Sequence, residues 1–69
     1  MTNEELVETA SNFFPKWQIA SSKVVRRGDN FALVYLATDL ISVAVSVEKD
    51  KFGYWISTDW EPLDKIDFQ

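Results

Sequence analysis

The side chains that could do chemistry in this chain are carboxylates, lysines, hydroxyls and tyrosines, because its 69 residues include neither histidine nor cysteine. Histidine is the usual acid and base near neutral pH and the commonest metal ligand. Cysteine supplies a thiolate nucleophile and the soft ligand of zinc and iron–sulfur sites. A chain this short that lacks both residues is not expected to be an enzyme or to hold a cofactor.

The remaining polar residues are not spaced for catalysis. A glycosidase needs two carboxyl groups held across a cleft, and a calcium loop needs several oxygen ligands around a glycine. Asp50 is the one acid of the segment 50–53, and the segment 59–61 lacks a glycine. The serines have no histidine to activate them. We therefore expect no metal site and no small-molecule substrate.

The net charge of −4 is distributed unevenly along the chain. Residues 1–15 carry −3 and residues 59–69 carry −3, whereas residues 16–58 carry +2. A nucleic-acid binder normally presents a basic face, but the basic residues cluster only at Lys23, Arg26 and Arg27. We expect no direct nucleic-acid contact. The terminal acids leave an alternative open, in which the chain imitates nucleic-acid phosphates and occupies a basic groove on a partner protein.

The chain begins with a predicted helix. Thr2 is a good N-cap, and Glu5 three residues later completes a capping box. One apolar stripe follows at spacings of three and four residues: Leu6, Ala10, Phe13 or Phe14, and Trp17. Pro15 disfavours helical geometry at the preceding residue, so the helix should end near residue 13. Roughly three turns of helix are not stable alone in water and must pack against another element.

That element is a predicted sheet, because the apolar period changes from 3.6 to 2 after Lys16. We predict four strands, at residues 17–26, 31–38, 41–48 and 52–58, joined by turns at 28–29, 38–39 and 49–52. Short connections favour antiparallel neighbours. The predicted fold is α+β, a single domain over 1–69 with the N-terminal helix packed on one face of a four-stranded antiparallel meander (α-β-β-β-β). A short C-terminal helical turn or tail follows.

Loops of two or four residues set a register for this sheet. They place Val34 opposite Val43, Leu36 opposite Ile41, Val45 opposite Ile56, and Val47 opposite Tyr54. A type I turn over 50–53 followed by a bulge is the alternative for the last hairpin, and it would bury Trp55 instead. We prefer the first register because it buries Phe52, Tyr54 and Ile56.

The face away from the helix is the candidate binding surface. Large side chains would flank a floor of small ones, and contiguous exposed apolar patches usually mark interfaces. The large residues are Phe31, Leu33, Tyr35 and Trp55, and the floor is Ser42, Ala44 and Ser46. Three occupants stay open: a second copy, a foreign protein, or the chain's own tail through Pro62, Leu63, Ile66 and Phe68.

The expected function is therefore protein binding by a small accessory, inhibitor or immunity-type protein of a phage or bacterium. The partner is another protein or a second copy in a homodimer. The expected contact residues are Phe31, Leu33, Tyr35 and Trp55, with Asp59, Glu61 and Asp64 as an acidic rim. The lack of cysteine favours the cytoplasm. The first 15 residues carry three acids and no basic region of a signal peptide, and no apolar stretch approaches the ~20 residues of a membrane span.

Overall fold

A helix and four strands account for residues 1–63, the part of the chain that the computed structural model describes. They are α1 (Asn3–Ser11), β1 (Ser21–Arg27), β2 (Phe31–Ala37), β3 (Ser42–Lys49) and β4 (Trp55–Leu63). The strands form one antiparallel sheet in the order β1-β2-β3-β4, and α1 packs against it. The predicted α+β meander is confirmed. Pro62 and Leu63, which were expected in the tail, belong to β4, and the rest of that tail (64–69) lies outside the described residues.

The capping box starts α1 as predicted. The Glu5 amide donates to the Thr2 hydroxyl over 3.2 Å, and the Thr2 amide donates to the Glu5 carboxylate over 2.9 Å. These two bonds satisfy amides that have no partner inside the helix. The helix ends at Ser11, two residues before the predicted end, with Asn12 as its C-cap. The Ser11 hydroxyl donates to the Val7 carbonyl over 2.8 Å, a local bond of the kind that weakens a helix interior.

The core lies between α1 and one side of the sheet. Leu6 and Ala10 of the helix are fully buried against alternate residues of the two central strands. Those strand residues are Ala32, Val34, Leu36, Val43, Val45 and Val47. Each large apolar side chain buried in this way contributes about 1.5–3 kcal/mol. Residues after the helix close one end of the core, because the Phe14 ring stacks on Trp17 at 3.9 Å and meets the Trp60 ring edge-on at 5.4 Å.

The hairpin between β2 and β3 turns one residue later than predicted. Val34 pairs with Val45 and Leu36 with Val43, because the turn is centred on residues 39–40 and not on 38–39. The Thr38 hydroxyl explains the tight turn, since it accepts bonds from the amides of residues 40 and 41 at 3.1 and 3.2 Å. A shift of two residues preserves the side to which each strand residue points. The predicted core valines are therefore confirmed, while Ile41 is left exposed at the turn.

The last hairpin contradicts the preferred register. Trp55 pairs with Lys49 and Ser57 with Val47, so the prediction that Tyr54 and Ile56 enter the core is wrong. The turn is the alternative that begins at Asp50. The Asp50 carboxylate accepts from the amides of residues 52 and 54 at 2.8 and 3.0 Å. Gly53 has a φ of +86°, which glycine adopts without strain. This local turn chemistry outweighs the larger apolar area that the other register would bury.

Two leucines of the chain offer a matched test of this core. Leu6 is fully buried, whereas Leu40 at the tip of the β2–β3 hairpin is 96% exposed. We expect Leu6→Ala to lower the free energy of unfolding by about 2–5 kcal/mol because it leaves a cavity. Leu40→Ala should change it by less than about 0.5 kcal/mol. Urea unfolding followed by circular dichroism measures both, and equal effects would contradict the placement of α1.

The capping box predicts a dependence of stability on pH. The backbone amide of Thr2 holds the pKa of Glu5 below its ordinary value of 4.5. A lowered pKa in the folded state stabilises the fold above the ordinary pKa, and this contribution disappears as pH falls through the folded-state pKa. Glu5→Gln should therefore lower the melting temperature at about pH 7 and have a smaller effect at about pH 3.

Glu8→Gln is the control for this experiment, since Glu8 lies on the same helix but outside the cap. It should not reproduce the loss of melting temperature near neutral pH. A Glu5→Gln effect of the same size at both pH values would show that the carboxylate does not stabilise the helix start.

Candidate protein-binding face

The register assigns every strand residue to one side of the sheet, because directly paired residues of antiparallel strands point the same way. We call the side away from α1 the outer face. Its residues come from all four strands: Ser21, Lys23 and Arg26 of β1; Phe31, Leu33, Tyr35 and Ala37 of β2; Ser42, Ala44, Ser46 and Glu48 of β3; and Ile56, Asp59, Glu61 and Leu63 of β4. Its apolar centre lies on β2 and its small residues lie on β3.

Three of the predicted contact residues share the outer face. Phe31, Leu33 and Tyr35 alternate along β2 with the core residues, so all three point away from α1. Phe31 is 39% exposed, and Leu33 and Tyr35 are half-buried. Ala44, the pairing partner of Tyr35, is 4% exposed and forms the floor beside the tyrosine. On the β2 side of the face, large side chains lie next to small ones, as the sequence predicted.

Trp55, the fourth predicted contact residue, lies on the other side of the sheet. It pairs with Lys49, packs against the core beneath α1, and has the Lys49 ammonium 5.6 Å from its ring centroid. Ile56, which the prediction had placed in the core, takes its position on the outer face and is 44% exposed. The Asp50 and Gly53 turn was the signal in the sequence that could have identified Ile56.

A β-bulge brings the acidic residues to the outer face. Ser57 pairs with Val47 but Asp59 pairs with Ser46, so Thr58 is an extra residue in β4. The Thr58 hydroxyl donates to the Glu48 carboxylate over 2.9 Å. Without the extra residue, Asp59 and Glu61 would point to the same side as Trp55, since side chains alternate along a strand. Asp64, the third predicted rim residue, lies outside the described residues.

A second bulge, in β1, brings Arg26 to the outer face beside Lys23. Lys23 pairs with Tyr35 and Arg26 with Leu33, because the register shifts between positions 24 and 26. Arg27 falls on the opposite side, where its guanidinium donates to the Asn3 side chain over 2.7 Å and to the Met1 carbonyl. Arg27 therefore ties the start of α1 to the sheet, and only Lys23 and Arg26 of the predicted basic cluster belong to the outer face.

Two of the rows of paired residues that cross the outer face from β1 to β4 carry charged residues at both ends. One row is Arg26, Leu33, Ser46 and Asp59, and the other is Lys23, Tyr35, Ala44 and Glu61. Each row runs from a basic residue through a large side chain and a small one to an acidic residue. The bulges in β1 and β4 place Arg26, Asp59 and Glu61 in these rows, because each bulge changes the side of the sheet to which the following residues point.

The geometry of the outer face suits contact with a protein surface. It holds a shallow depression of about 160 Å³, lined by Leu33, Ala44, Ser46, Asp59, Trp60 and Glu61. Pockets for small molecules are commonly ~300–1,000 Å³ and enclose the ligand. Among residues 1–63, no three acidic, histidine or cysteine side chains converge on a position where they could hold a metal ion. The carboxylates of β4 can therefore act as charged hydrogen-bond acceptors at the edge of an apolar contact.

Comparison with known proteins identifies no relative. No known protein family matches the chain, and no curated protein or solved structure resembles it significantly. Within the described part of the chain, no helix is both long enough and apolar enough to cross a membrane.

Alanine substitutions at the neighbouring Trp55 and Ile56 of β4 test which side of the sheet each residue occupies. We expect Trp55→Ala to lower the free energy of unfolding by about 1–3 kcal/mol, because the half-buried ring packs under α1. Ile56→Ala should cost less than about 1 kcal/mol, because the side chain lies on the outer face. Chemical unfolding of both variants measures the difference. A larger loss for Ile56→Ala would restore the register in which isoleucine enters the core.

Proposed function

We propose that this chain is a small non-enzymatic protein of the accessory, inhibitor or immunity type, and that it binds a protein partner through the outer face. The observation that supports this most directly is the position of Phe31, Leu33, Tyr35 and Ile56 on the side of the sheet that α1 does not cover. Stable domains usually bury the apolar side of a sheet against a second layer. A partner would supply that layer here.

The residue types of the outer face also favour protein binding. Aromatic residues and arginine are enriched in the centres of protein interfaces, and Tyr35 stands beside the small Ala44 at the middle of the face. Charged residues at the edge of an interface contribute more to specificity and to the association rate than to affinity. Asp59 and Glu61 retain the role of an acidic rim, and Ile56 replaces Trp55 among the contact residues.

The alternative function, imitation of nucleic-acid phosphates, has less support. The acids of α1 and those of β4 lie on opposite sides of the sheet, because α1 packs on one side while Asp59 and Glu61 point to the other. Lys23 and Arg26 share the outer face with those two acids. A mimic needs one continuous negative surface to fill a basic groove, and this mixed face does not provide it.

We further propose the cytoplasm as the site of action. A chain without cysteine has no disulfide to lose in a reducing compartment. A domain of this size without disulfides depends on its core and on contacts with partners for stability. A protein-binding role therefore agrees with both its size and its composition.

Site-specific photo-crosslinking tests the proposed face with a matched pair of phenylalanines. Phe31 lies on the outer face, and Phe52 is exposed on the last hairpin loop away from it. p-Benzoylphenylalanine at position 31 should form an adduct with a protein in native lysate, whereas the same group at position 52 should form none above background. Mass spectrometry then distinguishes an adduct of twice the chain's own mass from an adduct with a different protein.

A second pair of variants shows whether the adduct depends on the whole face. Tyr35→Ala should abolish crosslinking from position 31, because it removes the large side chain beside the floor. Tyr54→Ala should leave it unchanged, since Tyr54 is 70% exposed at the last turn. Equal crosslinking from positions 31 and 52, or crosslinking that survives Tyr35→Ala, would refute the proposed binding face.

A further inference from the structure

We propose that the partner on the outer face is a second copy of this chain, bound face to face about a two-fold axis. This inference rests on the proposed function and names the occupant of the same surface. Its basis is the order of residue types across the sheet, in which both central rows run from basic through large and small to acidic. A surface with this order is complementary to itself under one particular rotation.

The rotation is a two-fold axis parallel to the strands that passes between β2 and β3. It reverses the strand order and keeps the position along each strand. Because the sheet order is β1-β2-β3-β4, β1 of one copy then faces β4 of the other, and β2 faces β3. Both contacts occur twice, as a two-fold interface requires. The sheets stack in the aligned manner of a β-sandwich, about 10 Å apart.

The steric match lies at the centre of the face. Tyr35 and Ala44 form one pair across β2 and β3, and Leu33 and Ser46 form the next. After the rotation, Tyr35 of one copy lies over Ala44 of the other, and Leu33 lies over Ser46. Each large side chain thus meets a small residue, which is the interdigitation that packed sheets need. If β2 and β3 both carried large side chains in these rows, the side chains of the two copies would collide.

The charge match lies at the edges. Lys23 shares a row with Glu61, and Arg26 shares a row with Asp59. The rotation therefore brings each basic residue of one copy to the acidic residue of the other, and it makes four such pairs in the dimer. An axis perpendicular to the strands would place β1 over β1 and oppose like charges. Complementary charge at the edge fixes the orientation of the two copies.

The end of the outer face that holds Phe31 and Glu48 contributes less to the fit between the two copies. Phe31 and Glu48 are paired across β2 and β3, so each Phe31 meets Glu48 of the other copy. The Glu48 carboxylate already accepts a hydrogen bond from the Thr58 hydroxyl, which leaves its aliphatic stem for contact with the ring. The two central rows therefore define the dimer.

The area of the face sets the expected strength of the dimer. A face four strands wide and seven residues long covers about 440 Å² at the usual strand spacing and rise. Two such faces bury about 900 Å², which is below the ~1,200–2,000 Å² of standard stable complexes. We therefore expect a dissociation constant in the micromolar range, roughly 1–100 µM, rather than a permanent dimer.

Paired charge reversals test the inference in the full chain. Lys23→Glu with Arg26→Glu makes both edges acidic, and Asp59→Lys with Glu61→Lys makes both edges basic. Each double variant alone should be monomeric in sedimentation equilibrium at concentrations where the wild type is dimeric. An equimolar mixture of the two should form a heterodimer, because every edge contact then joins opposite charges. Recovery in the mixture also shows that both variants are folded.

Lys16→Glu with Lys51→Glu is the matched control, since it changes the net charge by the same amount as Lys23→Glu with Arg26→Glu, at exposed positions away from the outer face. It should dimerise like the wild type. The wild-type dimer should also dissociate more readily as salt rises, by roughly tenfold between low and high ionic strength. A wild type that stays monomeric at ~200 µM, well above the expected dissociation constant, would overturn the inference. A mixture that does not associate would also overturn it.

The crosslinking experiment separates this inference from the proposed function. If position 31 forms an adduct only with a protein of different mass and the chain sediments as a monomer, the self-association is refuted and the binding face stands. If position 31 forms no adduct and the chain is monomeric, both are refuted. An adduct of twice the chain's mass, lost in either charge-reversal variant, supports both.

Discussion

One nine-residue helix can cover only one side of a four-stranded sheet, and the rest of the structure depends on this constraint. Leu6 and Ala10 are the fully buried residues of α1, and they pack against the valines of β2 and β3. Burial of apolar area is the main stabilising contribution in so small a domain. Within residues 1–63, the helix leaves the other side of the sheet uncovered, and this is the side that we propose as the binding face.

Three local backbone features decide which residues reach that uncovered side. The Asp50 and Gly53 turn sets the phase of β4, so that Trp55 points to the core and Ile56 away from it. The bulge at Thr58 changes the phase again and brings Asp59 outward. The bulge in β1 brings Arg26 outward as well. Bulges at sheet edges commonly redirect side chains in this way and also discourage edge-to-edge pairing.

The distribution of charge on the outer face sets a preferred orientation for the partner that we propose. A face with one basic edge and one acidic edge has a preferred orientation against any partner, because like charges brought together are repelled. The same order makes the face complementary to its own copy. Lys23 and Glu61 end the same row of paired residues, with Tyr35 and Ala44 between them. Specificity in such an interface comes from where the charges lie, while the apolar centre supplies most of the affinity.

The sequence by itself determined the elements and most of the core. The capping box of Thr2 and Glu5, the spacing of Leu6 and Ala10 and the alternation along β3 are local patterns, so each predicts its element without knowledge of the rest of the chain. The side to which β4 points was decided only in the tertiary structure. Two turns with opposite consequences for Trp55 fitted the same residues, since a shift of one residue exchanges the two sides of a strand. The bulges at Thr58 and in β1 depend on the partner strand, because an extra residue exists only relative to the strand with which it pairs.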